Sequence, residues 1–240
     1  MTKLLFLDDP YLQSAEAQVI GHTSEGGILL DRSLFYPTGG GQPGDSGQLS
    51  WDDKTLSIAT CVKSEDGTPA LVPSEPQSLP PVGAQVSCAL DWARRHRHMR
   101  IHTALHLLSV VIPLPVTGGA ISAEKGRLDF NMAEPPSDRD ALEADLQTLV
   151  DRDLEVTMDW ITDAQLTANP GLVKTMSVAP PTGAGRVRLV RIGLGDQEVD
   201  LQPCGGTHVA RTGEIGRLRL GKIEKKGRQN RRVHLHLEEA

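Results

Sequence analysis

Aromatic side chains are scarce in these 240 residues, with three Phe, three Trp and two Tyr. A core must therefore be built from Leu, Val, Ile and Ala. Cysteine is almost as sparse: Cys61, Cys88 and Cys204 are an odd set that cannot pair fully within the chain. That excludes a disulfide framework and leads us to expect a reducing compartment, the cytoplasm. No apolar run approaches ~18 residues, so no membrane span is expected. Met1–Pro10 lacks a basic stretch and a long apolar stretch and carries Asp8 and Asp9, unlike a secretory signal. An excess of positive charge is also missing. The 25 basic and 31 acidic residues give a net charge of −6, which excludes an indiscriminate polyanion binder of the histone kind.

What the chain does have is punctuation. Its 24 glycines and 16 prolines make up a sixth of the residues and argue for many turns and short strands, not a helical bundle. Residues 1 to 90 show short apolar runs at Leu4–Leu7, Ala17–Ile20, Ile28–Leu30, Leu56–Ala59, Ala70–Val72 and Val86–Leu90, separated by turn clusters. This spacing predicts a small barrel or sandwich. Four prolines between Val72 and Pro81 mark a loop. The texture changes at Asp91, a capping residue. Trp92–Ile112 runs without Gly or Pro and stops at Pro113, a helix of roughly 30 Å. A second helix is expected from Ser137 to about Asp153. Strand-like runs surround the helices at Arg127–Met132, Glu155–Ile161, Arg186–Ile192, Gly216–Glu224 and Arg231–Leu237. The expected class is α+β, with helices on a mainly antiparallel sheet, divided into residues 1–90 and 91–240.

Two short motifs carry chemistry. His102 and His106 stand four apart on the long helix, so both rings point the same way, one turn apart. Far downstream, Cys204 and His208 flank Gly205 and Gly206. Glycines there allow positive φ and a bend that brings thiolate and imidazole to one point. Either half alone is weak, because paired histidines and single buried cysteines are common. Together they form a donor set suited to tetrahedral Zn²⁺. His96 and His98 lie among arginines, which disfavour a cation, and read as solvated or RNA-facing; His234 and His236 read as exposed strand residues. Thr103 follows His102 where a zinc peptidase helix would carry its glutamate, so peptidase chemistry is not expected.

The run Arg100-Ile101-His102-Thr103-Ala104-Leu105-His106, then Gln202-Pro203-Cys204-Gly205-Gly206-Thr207-His208-Val209 and Arg211-Thr212-Gly213-Glu214-Ile215-Gly216, resembles the editing domain of alanyl-tRNA synthetase. Phe35-Tyr36-Pro37-Thr38-Gly39-Gly40-Gly41-Gln42-Pro43-Gly44-Asp45 fits as well. With no room for an aminoacylation domain, the chain is similar to the free-standing AlaX editing proteins. The resemblance implies an N-terminal β-barrel followed by an α+β editing domain. It also implies hydrolysis of mischarged tRNA(Ala), chiefly seryl-tRNA(Ala) and in some members glycyl-tRNA(Ala). Pro203, before the cysteine, departs from the apolar or small residue common there.

Rejecting alanine requires a polar group that only the larger substrate satisfies, since a roomy pocket admits the smaller residue. Thr117, before Gly118-Gly119, is the first candidate and Thr103 the second. The third is the Gly39, Gly40, Gly41 and Gln42 loop, which in the family assists discrimination. The N–H groups of Gly205 and Gly206 are candidates for an oxyanion or ribose contact, against the plainer view that these glycines only form the turn.

Charge is strongly polarised along the chain. Residues 1–90 hold eleven acids and four bases, whereas Gly216–Arg232 holds eight bases and one acid. The basic residues Arg94, Arg97 and Arg100 on one side of the metal motif, and Lys222, Lys225, Lys226, Arg228, Arg231 and Arg232 on the other, predict an RNA-backbone face. The expected partner is the acceptor end of tRNA(Ala) carrying serine or glycine, bound by a monomer. A non-catalytic, structural-zinc tRNA-binding module is the alternative.

Overall fold

The computed structural model describes residues 2–175 and 185–238. It separates into two compact units, Met1–Arg97 and His98–Ala240.

The first unit is a closed six-stranded antiparallel barrel. Around it the strands run Ser14–His22, Ile28–Leu30, Pro69–Pro73, Lys54–Lys63, Gly47–Trp51 and Gln85–Leu90, the last pairing back to the first. Closure leaves no free edge. Alternate residues point inward, and Val19, Ile28, Leu30, Phe35, Leu49, Leu56, Ile58, Leu71 and Val86 fill the interior with Cys61 and Cys88. Leu4–Leu7 departs from its expected strand: Leu5–Asp8 is a single helical turn. A four-residue apolar run carries no period that tells the two apart.

The glycine-rich segment is a tight turn. Gly39 and Gln42 exchange backbone hydrogen bonds of 3.1 and 2.9 Å, and Gly40 and Gly41 both take positive φ, at 57° and 83°. Two central residues with positive φ make the turn that glycine adopts without strain. A buried clasp holds its base. The Asp45 carboxylate accepts from the Tyr36 N–H at 2.6 Å and pairs with Arg95, whose guanidinium also donates to the Pro10 and Leu34 carbonyls.

The long helix spans Trp92–Val111, and the Asp91 carboxylate caps it by accepting from the Arg94 N–H at 3.2 Å. The units divide inside this helix, seven residues beyond the boundary expected at position 90. Arg95 explains the displacement, because its side chain is tied to barrel residues on three segments.

Among the described residues of the second unit the paired strands are antiparallel, with one isolated parallel bridge between Val116 and Thr175. One sheet has the order Leu218–Gly227, Asn230–Leu237, Lys125–Asn131, Val116–Ile121. The other runs Val156–Thr162, Arg186–Ile192, Asp200–Pro203. The class is therefore α+β with an N-terminal barrel, as the sequence predicts. The helix Arg139–Asp151 is capped by Asp138, one residue after the expected Ser137, and buries Leu142, Leu146 and Val150 at helical spacing. The long helix lies close against Lys125–Asn131. A Cβ on Gly126 would stand 2.7 Å from Ile101 Cγ2 and 3.0 Å from Leu105 Cδ1, so only glycine leaves room there. Among the described residues no helix is long and apolar enough to cross a membrane.

Candidate metal centre

Ile101 and Leu105 turn toward the sheet, which fixes the direction of their neighbours His102 and His106. One ligand atom from each of His102, His106, Cys204 and His208 falls within 4.8 Å of the others. Cys204 Sγ lies 3.4 Å from His102 Nε2 and 3.3 Å from His208 Nε2. The four side chains are able to bind one metal ion.

Neighbouring groups set the ring tautomers. His106 Nδ1 is 2.9 Å from Asp200 Oδ2, and Asp200 is 2% exposed. A carboxylate only accepts, so His106 carries its proton on Nδ1 and presents Nε2. Gln202 Nε2 donates to the same Oδ2 at 2.8 Å, and Lys174 Nζ donates to Oδ1. Thr103 Oγ1 donates to the Met99 carbonyl and lies 3.1 Å from His208 Nδ1. Its hydroxyl proton is thereby committed, so it accepts from His208 Nδ1–H and again leaves Nε2 for a ligand.

Burial pushes the Cys204 thiol up, but the His102 charge and the hydrogen bonds from His102 and His106 outweigh it and hold the thiol well below its usual range. Burial and the His102 charge hold His208 well below the ordinary histidine value. Burial also disfavours a charged His106, yet the Asp200 and Cys204 contacts prevail and raise it to about 9. Thiolate and neutral imidazole at Cys204 and His208 are the forms that bind metal, and at His106 a bound ion would take the place of the second proton, on Nε2, that its raised pKa implies.

The loop between the last two ligands has an unexpected conformation. Gly205 and Gly206 are not at positive φ, and a Cβ on Gly205 would meet nothing within 4 Å. The bend instead rests on Arg188, 3% exposed, whose Nη1 donates to the Cys204 carbonyl at 3.0 Å and the Gly206 carbonyl at 2.7 Å. The Gly206 N–H points at Cys204 Sγ from 3.5 Å.

The other expected site residues differ in their surroundings. Thr117 Oγ1 donates to the Asp129 carbonyl at 3.1 Å and accepts from Asn230 Nδ2 at 2.9 Å. Thr103 is fully buried and serves His208. Gln42 is 1% exposed, while Gly40 and Gly41 are open to solvent. Lys222, Lys225, Lys226 and Arg228 are exposed on the terminal hairpin, with Glu224 paired to Lys222 and Lys226. Arg231 is not on that surface: it is 6% exposed and its guanidinium meets the Ala133, Gly227 and Asn230 carbonyls. Arg232 is held by Asp129 at 2.7 and 2.8 Å, and Arg100 donates to the Ile215 carbonyl. Arg94 and Arg97 are half-buried. His98 is 1% exposed, against the solvated role expected of it, because it stands one helical turn before His102 on the inward face. His234 and His236 are half-buried, and His234 bonds Glu224 at 3.0 Å.

Sequence reasoning missed Asp200, Gln202, Arg188 and Lys174. Asp200 and Gln202 precede Cys204 at alternate positions of one strand, a period of two that marks a shared face.

Residues 187–234 match the threonyl and alanyl tRNA synthetase second additional domain, and residues 10–94 match the class II (A) tRNA synthetases. The chain is 30% identical to the alanyl-tRNA editing protein AlaX-M of Methanosarcina acetivorans and 31% identical to that of Pyrococcus horikoshii, each over 99% of both chains. It is 34% identical to the alanine–tRNA ligase of Korarchaeum cryptofilum over 93% of this chain and 25% of the ligase. With relatives this similar along its whole length, the chain belongs to the AlaX family of alanyl-tRNA editing proteins.

Proposed function

We propose that this protein is a trans-acting editing hydrolase. It deacylates mischarged tRNA(Ala), chiefly seryl-tRNA(Ala), with Zn²⁺ held by His102, His106, Cys204 and His208. The observation that carries this reading is the four-donor cluster with both of its outer-contacted imidazoles set to offer Nε2.

The donor set suits zinc. A tetrahedral ion with Zn–S of about 2.3 Å and Zn–N of about 2.0 Å separates sulfur from nitrogen by about 3.5 Å. The sulfur-to-nitrogen distances of 3.3 and 3.4 Å agree with that spacing. When bound, zinc supplies Lewis acidity toward an ester carbonyl or a water molecule. The chain's own contribution is orientation. Asp200 holds His106, Thr103 holds His208, and Arg188 and the Gly206 N–H hold Cys204. Thr117, Thr103 and the Gly39–Gln42 turn stay the candidates for discrimination; both threonine hydroxyls also have protein partners, and the Gly40 and Gly41 peptides are exposed. The exposed Lys222, Lys225, Lys226 and Arg228 supply the RNA-backbone contact, and this face acts on tRNA in the cytoplasm.

The test is deacylation of seryl-, glycyl- and alanyl-tRNA(Ala) by the purified chain, with and without a chelator. Release of serine, sparing of alanine and loss of activity in His106→Ala support the reading. Equal hydrolysis of alanyl-tRNA(Ala), or full activity after chelation, overturns it. Tight tRNA binding with every ester left intact identifies the non-catalytic zinc module instead.

A further inference from the structure

The face of the three-stranded sheet that serves the metal cluster continues past it. Asp200 pairs with Ile192, and Gln202 pairs with Val190. Arg188, two residues along the same strand, reaches the Cys204 and Gly206 carbonyls. These side chains share one face, because residues opposite each other in a ladder point the same way. Trp160 is the partner of Arg188 on the outer strand, and Arg186 is the partner of Thr162. Trp160 therefore lies on the metal-facing side, two strand spacings, roughly 10 Å, from the Cys204 backbone.

Trp160 is unusual in this chain. It is one of three tryptophans, and 40% of its surface is exposed. The exposed Arg186 guanidinium lies over its ring, 4.3 Å from the centroid. An open indole with a guanidinium on it is the pairing by which proteins stack unpaired bases and attract the adjoining phosphate. Neither residue belongs to the cluster or to the basic hairpin.

We propose that Trp160 and Arg186 form a stacking platform for the unpaired 3′-terminal nucleobase of the RNA substrate. The proposal rests on the deacylase reading for the identity of that substrate. A base lies one ribose away from the ester it accompanies, and the platform stands beside the ligand loop on the same sheet face. It would position the acceptor end without touching the reacting atoms. Stacking does not distinguish one aminoacyl group from another, so the platform favours capture of the end and leaves selectivity to other residues.

The experiment uses the zinc-loaded full chain with Trp160→Ala and Trp160→Phe. One probe is a single-stranded RNA ending in CCA; the other is the same RNA with an abasic 3′ residue. Trp160 emission, taken as the difference between wild type and Trp160→Ala, should be quenched by the intact RNA and not by the abasic one. Trp160→Ala should raise KM for seryl-tRNA(Ala) about 5- to 150-fold with little change in kcat. Trp160→Phe, which keeps a ring, should recover most of that loss. Equal KM in wild type and Trp160→Ala overturns the platform and leaves the deacylase reading intact. Equal quenching by both RNAs also overturns it. If wild type deacylates nothing while quenching still requires the terminal base, the platform stands and the deacylase reading fails.

Discussion

Asp200→Asn is the most informative change at the metal cluster, because it keeps shape and removes charge. Three donors converge on the two Asp200 oxygens: His106 Nδ1 at 2.9 Å, Gln202 Nε2 at 2.8 Å and Lys174 Nζ. Asparagine offers one oxygen and one NH₂, so at least one of these donors would face another donor. A hydrogen bond to a charged group contributes about 1.5–3 kcal/mol, and Asp200, His106 and Gln202 are buried, which limits replacement by water. An outer contact on a metal-bound histidine is typically worth 10–100-fold in metal affinity, which is about 1.4–2.8 kcal/mol. The two routes agree. We expect Asp200→Asn to weaken zinc binding by about 10–100-fold, measured by competition with a chromophoric chelator at fixed pH. Lys174→Met, which leaves the His106 acceptor in place, should cost less. Unchanged affinity in Asp200→Asn would show that His106 needs no orienting partner, and the argument for the cluster's preset tautomers would fail.

Three further outcomes follow from burial and charge. Cys61 and Cys88 are both 0% exposed, and burial pushes their thiols up, Cys88 to about 12. At neutral pH a thiol reagent should titrate none of the cysteines in the zinc-loaded chain, one after chelation and three after denaturation; two or more in the folded, metal-free chain would contradict the barrel packing. Gly126→Ala should destabilise the second unit by about 1–3 kcal/mol through its clash with Ile101 and Leu105, seen as a lowered Tm. Because those residues adjoin His102 and His106, zinc affinity should fall with it, and an unchanged Tm would refute the close approach. Burial works against a charged Asp129, but Arg232 and Arg127 hold its carboxyl below its usual value. A carboxyl lowered in the fold stabilises above its unfolded pKa and loses that contribution as pH falls through the folded one. The stability margin of wild type over Asp129→Asn should therefore hold above about pH 4 and shrink below it, and a margin constant into strong acid would contradict the pairing.

The four clustered residues His102, His106, Cys204 and His208 were legible because their types and spacings are specific. His102 and His106 need only a helix, and the absence of Gly and Pro from Trp92 to Ile112 supplies one. The residues around them were not legible as a set. Asp200 and Arg188 act through ladder register, and register is fixed by strands far apart in sequence. The strand Val116–Ile121 escaped notice because Gly118 and Gly119 interrupt its β-propensity. The basic run misled in part. Alternation along Asn230–Leu237 turns Arg231 inward to meet carbonyls, while charge counting treats every arginine as exposed. Gly205 and Gly206 permit a bend through positive φ but do not use it, and a buried guanidinium shapes the loop from outside.

If the glycine-rich turn contacts the substrate as proposed, the Asp45–Arg95 clasp has a consequence for how it meets that ligand. Glycines lose more freedom on ordering than any other residue. Here Tyr36 and Asp45 are locked together by main-chain and side-chain bonds, and Gly39 and Gln42 close a smaller ring within that one. The loss is incurred when the barrel folds, so a ligand reaching Gly40 and Gly41 meets peptides already in place and binding carries little of that entropy. Loosening the clasp would transfer the same loss from folding to binding. A substitution at Arg95, deep inside the protein, would then appear first as weakened recognition at the surface.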